Sequence, residues 1–202
     1  MVSNEEISVN KRNGRGKESL QIDKIHAMVG FATEGITGVS ASHVEMNSGI
    51  QLFDGISTAD IQQILIKSAN DLITLENPNY QYVAARLLLF SLRKQLFHRL
   101  WDHPKLIDHI KKLIDMGLYD KDILVNYDES EIDRMDMWID HERDYNFTYA
   151  GLRQVMDKYL VQDRSTGDIF ETPQFMYMMI SATLFAQYPK DKRMSYVKKY
   201  YD

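Results

Sequence analysis

The chain has 202 residues, of which 44% are hydrophobic and 26% are charged, and it carries a net charge of -5 with no cysteine. This length allows one ordinary domain or two small ones with a buried core, and the charge balance gives no reason to expect nucleic acid or an acidic membrane as a partner. The absence of cysteine excludes disulfides, cysteine-ligated zinc and thiol nucleophiles within this sequence.

A β-hairpin is the first predicted element. Residues 7–11 and 17–22 are short β-type runs on either side of an Asn-Gly dipeptide at 13–14, and this dipeptide is the strongest short-range hairpin signal. An amphipathic helix follows at about residues 23–34, with Asp23 expected as its N-cap and a glycine just after its last residue.

Two shorter helices follow in the first half. Ser42 and Glu45 have the spacing of a capping box, which predicts a helix at about residues 40–48. Ser57 or Thr58 is expected to cap the next helix, which ends at an Asn-Pro-Asn sequence.

A long helix is predicted at about residues 80–100. It has apolar residues on most faces and is therefore expected to be buried between its neighbours. Helices also dominate the remainder of the chain. They are predicted at about residues 105–116, 121–125, 129–139, 149–159, 174–185 and 190–201.

A second hairpin is predicted between residues 160 and 171, because the sequence Arg-Ser-Thr-Gly-Asp at 164–168 is typical of a tight turn between short strands. The helix after it begins with Pro173, which is well placed in a first helical turn. Its methionine and aromatic content indicates a helix packed in a core rather than a cofactor pocket.

The basic hairpin is the first candidate for a functional site. Lysine and arginine are the right donors for a triphosphate, and the N-terminus of the following helix would add backbone N–H groups. From composition alone, an ordinary solvated hairpin tip remains the simpler interpretation. The basic residues are Lys11, Arg12, Arg15, Lys17 and Lys24.

Three other patterns do not support a catalytic or metal site. Residues 14–19 resemble a P-loop, but Glu18 stands where that motif needs a serine or threonine. The six histidines lack metal-ligand spacing. Residues 140–144 could mimic an acid/base site, but a charged helix end that forms caps and salt bridges is the preferred interpretation.

Three stretches of the first half resemble a known domain family. Residues 11–14 (Lys-Arg-Asn-Gly), 22–25 (Ile-Asp-Lys-Ile) and 54–61 (Asp-Gly-Ile-Ser-Thr-Ala-Asp-Ile) look like the ATP-cone, an allosteric nucleotide-binding domain. Residues 77–94 continue this likeness. The resemblance implies an ATP-cone at residues 1–97, in which a β-hairpin caps a four-helix bundle.

The second half resembles a larger family. Residues 139–175 and 188–202 are similar to the helical N-terminal region of class I (aerobic) ribonucleotide reductase large subunits. The resemblance covers nearly all of the chain, and a lone ATP-cone would not explain the second half. It implies a mainly α fold with a helical framework region at residues 98–202, which includes the second short hairpin.

The resemblance also implies an allosteric site for ATP and dATP in the first half. Basic residues would neutralise phosphates, while hydroxyl and amide groups would bind the sugar or the base. Position 62 is a glutamine, where a histidine often discriminates ATP from dATP, so inhibition by dATP is not assured. The implied site residues are Val9, Lys11, Arg12, Glu18, Ser19, Leu20, Gln21, Ile22, Asp23, Lys24, Ile25, Thr58, Ile61 and Lys94.

The resemblance further implies a non-catalytic piece of a ribonucleoside-diphosphate reductase, the enzyme of deoxyribonucleotide biosynthesis for DNA replication. ATP or dATP, with Mg²⁺, would be its effectors, and no covalent cofactor is expected. In the family, the next region is a ten-stranded α/β barrel that carries the catalytic cysteines. Without those cysteines the chain is expected to be inactive alone.

The sequence is expected to be either a fragment of a longer large subunit or, as we favour, the first piece of a naturally split one. The expected partners are then a second chain bearing the barrel and the radical-generating small subunit. No secretory signal is evident, so a cytoplasmic location is expected, with no nucleic acid and no membrane as partner. The alternative is a free-standing ATP-cone module that senses nucleotides for another protein. ATP-cone repressors also carry a cysteine-bound zinc ribbon, which this sequence cannot form.

Overall fold

A computed structural model describes residues 7–11, 16–49, 54–98 and 101–202. Contacts between Cα atoms divide the chain into two units. The first unit comprises the described residues up to Ser91 together with Tyr145–Leu152, and the second comprises Leu92–Asp144 and Arg153–Asp202. The predicted boundary after residue 97 stays a prediction.

The first unit combines a small sheet with four helices. The strands are β1 (Ser8–Asn10), β2 (Lys17–Ser19) and β3 (Ile56–Ser57), in the order β2-β1-β3. The helices are α1 (Ile22–Thr33), α2 (Ala41–Ser48), α3 (Thr58–Asp71) and α4 (Tyr80–Phe97), the last of which continues into the second unit. The expected N-terminal hairpin and four helices are thus confirmed.

The hairpin pairs β1 and β2 antiparallel, with Val9 opposite Glu18. At the turn end of the hairpin, the Lys11 N–H donates to the Gly16 carbonyl over 2.8 Å. Gly16 has a φ of 93°, a left-handed conformation that favours glycine. The predicted turn at residues 13–14 lies outside the described residues.

The strand β3 was not predicted from the sequence. It pairs parallel with β1, so that Ile56 lies opposite Val9 and Ser57 opposite Asn10. Two residues are too short for a recognisable alternation of apolar and polar side chains. The consequence for the site is that the N-terminus of α3, which follows β3 directly, lies beside the end of β1.

Two of the predicted helix caps are wrong. Gln21, not Asp23, is the N-cap of α1, and Asp23 lies in the first helical turn, where its charge favours the positive end of the helix dipole. Ser40, not Ser42, caps α2 by accepting a hydrogen bond from the His43 N–H. Two serines lie only two residues apart here, and each is a good N-cap residue, which explains this error.

Glu45 does not form the predicted capping box. It pairs instead with a residue of a different helix. Its Oε1 lies 2.8 Å from Nδ1 of His26 on α1. This pair raises the pKa of the His26 imidazole, chiefly through the hydrogen bond to Glu45. The prediction for α3 is confirmed, since Ser57 caps it by accepting from the Asp60 N–H.

The core of the first unit is built around α4. The side chains from Val83 to Phe90 are buried except that of Arg86, as the apolar sequence predicted. Arg86 donates through Nη1 to the Glu34 carbonyl over 2.6 Å and thereby ties α4 to the end of α1. Its guanidinium also lies 5.6 Å from the ring centre of Tyr145.

Most remaining helices agree with the predicted ranges to within one or two residues. They are α5 (Leu106–Asp115), α6 (Asp122–Asn126), α7 (Glu129–Trp138), α8 (Tyr149–Lys158), α9 (Pro173–Phe185) and α10 (Lys190–Tyr201). A 3₁₀ helix at His141–Asn146 was not predicted. It occupies the stretch of alternating charges that the sequence indicated only as a helix end.

The second hairpin is shorter than predicted. Gln162 and Ile169 form one isolated antiparallel bridge rather than two strands. The turn itself is present, because the Asp163 N–H donates to the Asp168 carbonyl over 2.8 Å and the Gly167 N–H to the Asp163 carbonyl over 2.7 Å.

The core of the second unit joins α5, α7, α9 and α10. Buried apolar side chains from all four helices form one cluster, which includes Ile110, Ile132, Phe175 and Val197. The expectation that α9 packs in a core is confirmed for its inner side. No helix of the described chain is long and apolar enough to span a membrane.

Candidate functional site

The predicted nucleotide site lies where β1 ends and α1 and α3 begin. Lys11 directly follows β1, Glu18 is the middle residue of β2, and Lys24 lies in the first turn of α1. Because β2 leads into α1 and β3 leads into α3, the short sheet fixes the positions of both helix N-termini.

Two lysines converge on the carboxylate of Glu18. Nζ of Lys11 lies 3.1 Å and Nζ of Lys24 lies 3.7 Å from the same atom, Oε2 of Glu18. The hydrogen bond from Lys11, together with the charges of both lysines, lowers the pKa of the Glu18 carboxyl. These side chains are partly exposed, so the pair of lysines is accessible to an anion from solvent.

Helix termini add to the positive potential of this region. The N-cap of α1, Gln21, makes no side-chain hydrogen bond to the helix, whereas Ser57 caps α3. Thr58 is the first residue of α3 and is partly exposed, so its hydroxyl is available beside that terminus. The N-terminus of a helix favours anions through its N–H groups and its dipole.

Two predicted site residues are buried. Val9 is 3% exposed and Ile61 is 5% exposed, so both belong to the core, and their role in binding stays a prediction. Ile22, in contrast, is exposed although apolar. Ser19, Gln21 and Asp23 are also exposed, while Leu20 and Ile25 are partly buried.

Two further members of the predicted set lie outside the described part of the first unit. Arg12 lies outside the described residues, as does Arg15. Lys94 is partly buried in the last turn of α4, in the stretch that belongs to the second unit. The roles of Arg12 and Lys94 in binding stay predictions.

Gln62 lies in α3 and is turned away from solvent. Its side chain is 2% exposed, and Nε2 donates to the Leu87 carbonyl on α4 over 2.9 Å. The amide therefore fastens α3 to α4. A histidine at this position, with a shorter and planar side chain, would need a different set of contacts.

Asp54 and Asn10 were missed as residues that position the site. Oδ1 of Asp54 accepts from the Ser8 N–H over 3.0 Å and from the Ser8 hydroxyl over 2.5 Å. Nδ2 of Asn10 donates to the Gly55 carbonyl over 2.6 Å. These bonds hold β1 next to β3, and the only signal in the sequence was the Asp-Gly turn.

The site contains no evident metal centre. In the described ranges, no group of three or more histidine, cysteine, aspartate or glutamate side chains could hold a metal ion. The chemistry that the described residues offer is cationic, with lysine ammonium groups and helix N-termini gathered at one end of a small sheet. Groups of this kind suit a phosphorylated ligand.

Two family models match the chain. An ATP cone domain model matches residues 7–95, and a model described as ribonucleotide reductase, all-alpha domain, matches residues 145–202. The first range contains the sheet and the converging lysines, and the second contains α8, α9 and α10.

Over nearly all of its own length, the chain is similar to alpha subunits of ribonucleoside-diphosphate reductase. It is 48% identical over 199 residues to the alpha subunit of ribonucleoside-diphosphate reductase from Haemophilus influenzae, and 47% identical over 199 residues to that of reductase 1 from Escherichia coli. The alpha subunit from Enterobacteria phage T4 is 41% identical over 196 residues.

These matches cover 98% of the chain for the two bacterial proteins and 97% for the phage protein, but only 26% of each relative. The chain thus spans about a quarter of the length of these curated relatives. The ATP cone model matches in the first half of the chain, and the all-alpha model matches in the second half. The chain therefore belongs to the ribonucleotide reductase large-subunit family and represents the N-terminal region of such a subunit.

Proposed function

We propose that the first unit binds ATP and dATP as allosteric effectors, with the triphosphate at Lys11 and Lys24. The observation that carries this proposal is the convergence of both ammonium groups on one carboxylate oxygen, near the N-termini of α1 and α3. The match of residues 7–95 to the ATP cone supports it.

The Glu18 carboxylate acts as a bridge that a triphosphate replaces. The Glu18 carboxylate holds the two lysine ammonium groups close together, although their like charges repel each other. A triphosphate carries more negative charge and more acceptor oxygens than one carboxylate, so it competes well for the same donors. The helix termini stay fixed by the sheet, so little reorganisation is needed.

The remaining members of the predicted set would surround the rest of the nucleotide. Ser19, Gln21 and Thr58 offer hydroxyl and amide groups for the sugar and base. Mg²⁺ would accompany the triphosphate and be held by its phosphate oxygens, because the described residues offer no group of three or more side chains that could hold a metal ion.

We propose further that the chain works as the non-catalytic N-terminal part of a ribonucleoside-diphosphate reductase. In this proposal it associates with the polypeptide that carries the catalytic barrel, and that complex works with a radical-generating small subunit in the cytoplasm. The chain has no cysteine, so it cannot supply the thiols for reduction and is inactive alone. Nucleotide occupancy would shift an equilibrium of the whole complex.

Calorimetric titration of the chain with MgATP and with MgdATP tests the nucleotide proposal directly. Saturable binding at one site or more is expected, and the absence of measurable heat and of competition would overturn it. Reductase activity that depends on adding the chain to the barrel polypeptide and the small subunit tests the second proposal.

A free-standing nucleotide sensor is a second candidate, because the ATP cone model matches residues 7–95, which include the sheet and the converging lysines. It predicts nucleotide binding with no association with the barrel polypeptide. The two candidates are therefore separated by the reconstitution experiment and not by the titration.

A further inference from the structure

A cavity of about 360 Å³ lies in the second unit, between the end of α4 and α5. This volume is within the range of roughly 300–1,000 Å³ that is typical of small-molecule sites. Its walls carry a phenyl ring, two imidazoles and three charged side chains, and this feature is called the histidine cavity below. These groups belong to Phe97, Asp102, His103, Asp108, His109 and Lys112.

Two ring nitrogens of the histidine cavity lack a hydrogen-bond partner. Nε2 of His103 and Nε2 of His109 are both buried, and neither makes a hydrogen bond within the protein. The His109 side chain belongs to a residue that is only 3% exposed. Buried polar atoms in proteins are almost always hydrogen-bonded. Two such atoms on the wall of one cavity therefore indicate a ligand whose polar groups reach them.

The imidazoles of the cavity offer lone pairs rather than N–H groups. Burial lowers the pKa of both histidines to about 4, so both rings are neutral near pH 7. The His103 ring donates a hydrogen bond to the backbone of Trp101, and since Nε2 has no partner, the donor is Nδ1. Nε2 of His103 is therefore an acceptor, and His109 offers the same lone pair in the corresponding tautomer.

The charges around the cavity favour a cation. Asp102 and Asp108 are exposed and bring two carboxylates, against the one ammonium of Lys112. The charge of Asp102 acts on the His103 ring and opposes the effect of burial on its pKa. An anion such as phosphate would meet two carboxylates and two imidazole lone pairs, so the cavity disfavours it.

The remaining wall is aromatic. The ring centre of Phe97 lies 5.6 Å from that of His103 and 6.4 Å from that of His109. An aromatic ring attracts a cation through its face and also packs against apolar groups. A metal ion fits less well, because the described ranges contain no group of three or more histidine, cysteine, aspartate or glutamate side chains that could hold one. An organic cation brings its own N–H donors and needs no such group.

We propose that the histidine cavity binds a small organic cation that carries a guanidinium or a primary ammonium group. Its N–H groups donate to Nε2 of His103 and Nε2 of His109, and the two aspartates balance its charge. Its carbon atoms contact Phe97. The site lies in the second unit, so it is independent of the nucleotide proposal for the first unit.

The test uses butylguanidinium as the probe and butylurea, which has nearly the same shape but no charge, as the matched control ligand. Nitrogen-15 NMR of the histidine rings in the full chain reports the state of each Nε2 atom. Saturable shifts of Nε2 are expected for His103 and His109 and not for His43, which lies in the first unit. Butylurea should bind about tenfold more weakly, because its hydrogen bonds are not assisted by charge.

Four variants test the walls of the cavity. His109→Phe keeps a ring against Phe175 but removes Nε2, so the affinity for butylguanidinium should fall about tenfold, whereas His43→Phe should bind as the wild type does. Asp108→Asn should weaken binding a few-fold and reduce its salt dependence. Lys112→Met removes the opposing charge and should strengthen binding a few-fold. The exposed positions of Asp108 and Lys112 keep these two variants informative if His109→Phe does not fold.

The absence of a saturable shift in the wild type would overturn the proposal, as would equal affinities of the wild type and a folded His109→Phe. Shifts of all histidines that rise in proportion to the probe concentration would show non-specific binding and would also refute it. Equal affinities for butylguanidinium and butylurea would assign the cavity to a neutral ligand. Shifts of both Nε2 atoms by Zn²⁺ and not by butylguanidinium would make it a metal site, which contradicts the proposal.

Discussion

Nζ of Lys11 lies 3.1 Å from Oε2 of Glu18, which places a lysine from the end of β1 on a carboxylate from β2. If this ammonium binds phosphate, Lys11→Ala should weaken the affinity for MgATP about tenfold, the loss expected for one charge-assisted contact. Isothermal titration calorimetry gives the dissociation constant. Lys67→Ala removes an exposed lysine of α3 that pairs with Asp71, and it serves as the control.

The Lys11 prediction fails if both variants bind MgATP equally well. It also fails if Lys11→Ala loses its fold, which circular dichroism and the unfolding midpoint would reveal. Surface ion pairs contribute little to stability, so the Lys11 variant should unfold at nearly the same denaturant concentration as the wild type.

Glu18→Gln separates a bridging carboxylate from one that is essential for binding. The neutral amide keeps the shape of the side chain but removes the negative charge that a triphosphate must displace. We expect MgATP to bind a few-fold more tightly to this variant, most clearly at low salt. A loss of affinity as large as that of Lys11→Ala would show that Glu18 holds the lysines in a required arrangement.

The hairpin and the lysines of the site could be predicted from sequence because their signals are local. The Asn-Gly dipeptide and the flanking β-type runs indicate the hairpin without any knowledge of the rest of the chain. The strand β3 and the bonds of Asp54 to Ser8 could not be predicted, since the strand pairs join residues 47 positions apart and the bonds join residues 46 positions apart. Such pairings depend on tertiary packing rather than on local preference.

The same distinction explains the two wrong caps and the position of Gln62. Ser40 and Ser42 are equal candidates locally, and only the packing of α2 selects between them. Gln62 follows Ile61 and precedes a polar residue, so the sequence does not show that its amide is buried against α4. The burial of α4 and of the inner side of α9, in contrast, was correctly predicted, because long apolar runs in a helix indicate a buried face.

Gln62→Met tests whether this residue contacts the nucleotide. The hydrogen bond from Nε2 to the Leu87 carbonyl would be lost, which should lower the free energy of unfolding by about 1 kcal/mol. The ratio of the affinities for MgATP and MgdATP should stay unchanged, because the side chain is buried and bonded to α4. Parallel titrations with the two nucleotides measure this ratio, and a change in it would place Gln62 at the ligand.

Arg193 and Glu131 form a buried ion pair that joins α10 to α7. Nε of Arg193 lies 3.1 Å from Oε1 of Glu131, and the guanidinium lies 4.4 Å from the ring centre of Tyr127. Removing one partner leaves a buried charge unpaired, so Arg193→Met and Glu131→Gln should each lower the free energy of unfolding by about 3 kcal/mol. Urea denaturation of both variants provides the values.

The double variant Arg193→Met/Glu131→Gln should be more stable than the sum of the single effects predicts, because it leaves no unpaired charge. Lys190→Ala is the control, since the exposed pair of Lys190 with Asp128 on the same two helices should contribute little. Additive losses in the double variant would contradict a direct coupling between Arg193 and Glu131.

Three histidines make the second unit sensitive to acid. The rings of His103 and His141 stack at 3.7 Å with an interplanar angle of 5°, and His109 stacks on Phe175 at 4.4 Å. Burial lowers the pKa of His103 and His109 to about 4 and that of His141 to about 3. The unfolded chain takes up these protons below about pH 6.5, so the stabilisation is complete above that pH and is lost as the pH falls towards 4.

Asp144 opposes this trend in part, because burial raises its pKa to about 6 and the folded protein therefore holds a proton there at mildly acidic pH. His109 is 3% exposed, and its share of the loss between about pH 7.5 and about pH 5 should be about 2 kcal/mol. His109→Phe keeps a ring against Phe175 and should remove that share, while His43→Phe, an exposed position in the first unit, should not. Urea denaturation at the two pH values gives the free energy of unfolding of each protein. If the wild type and His109→Phe lose the same stability between these pH values, the loss does not come from His109.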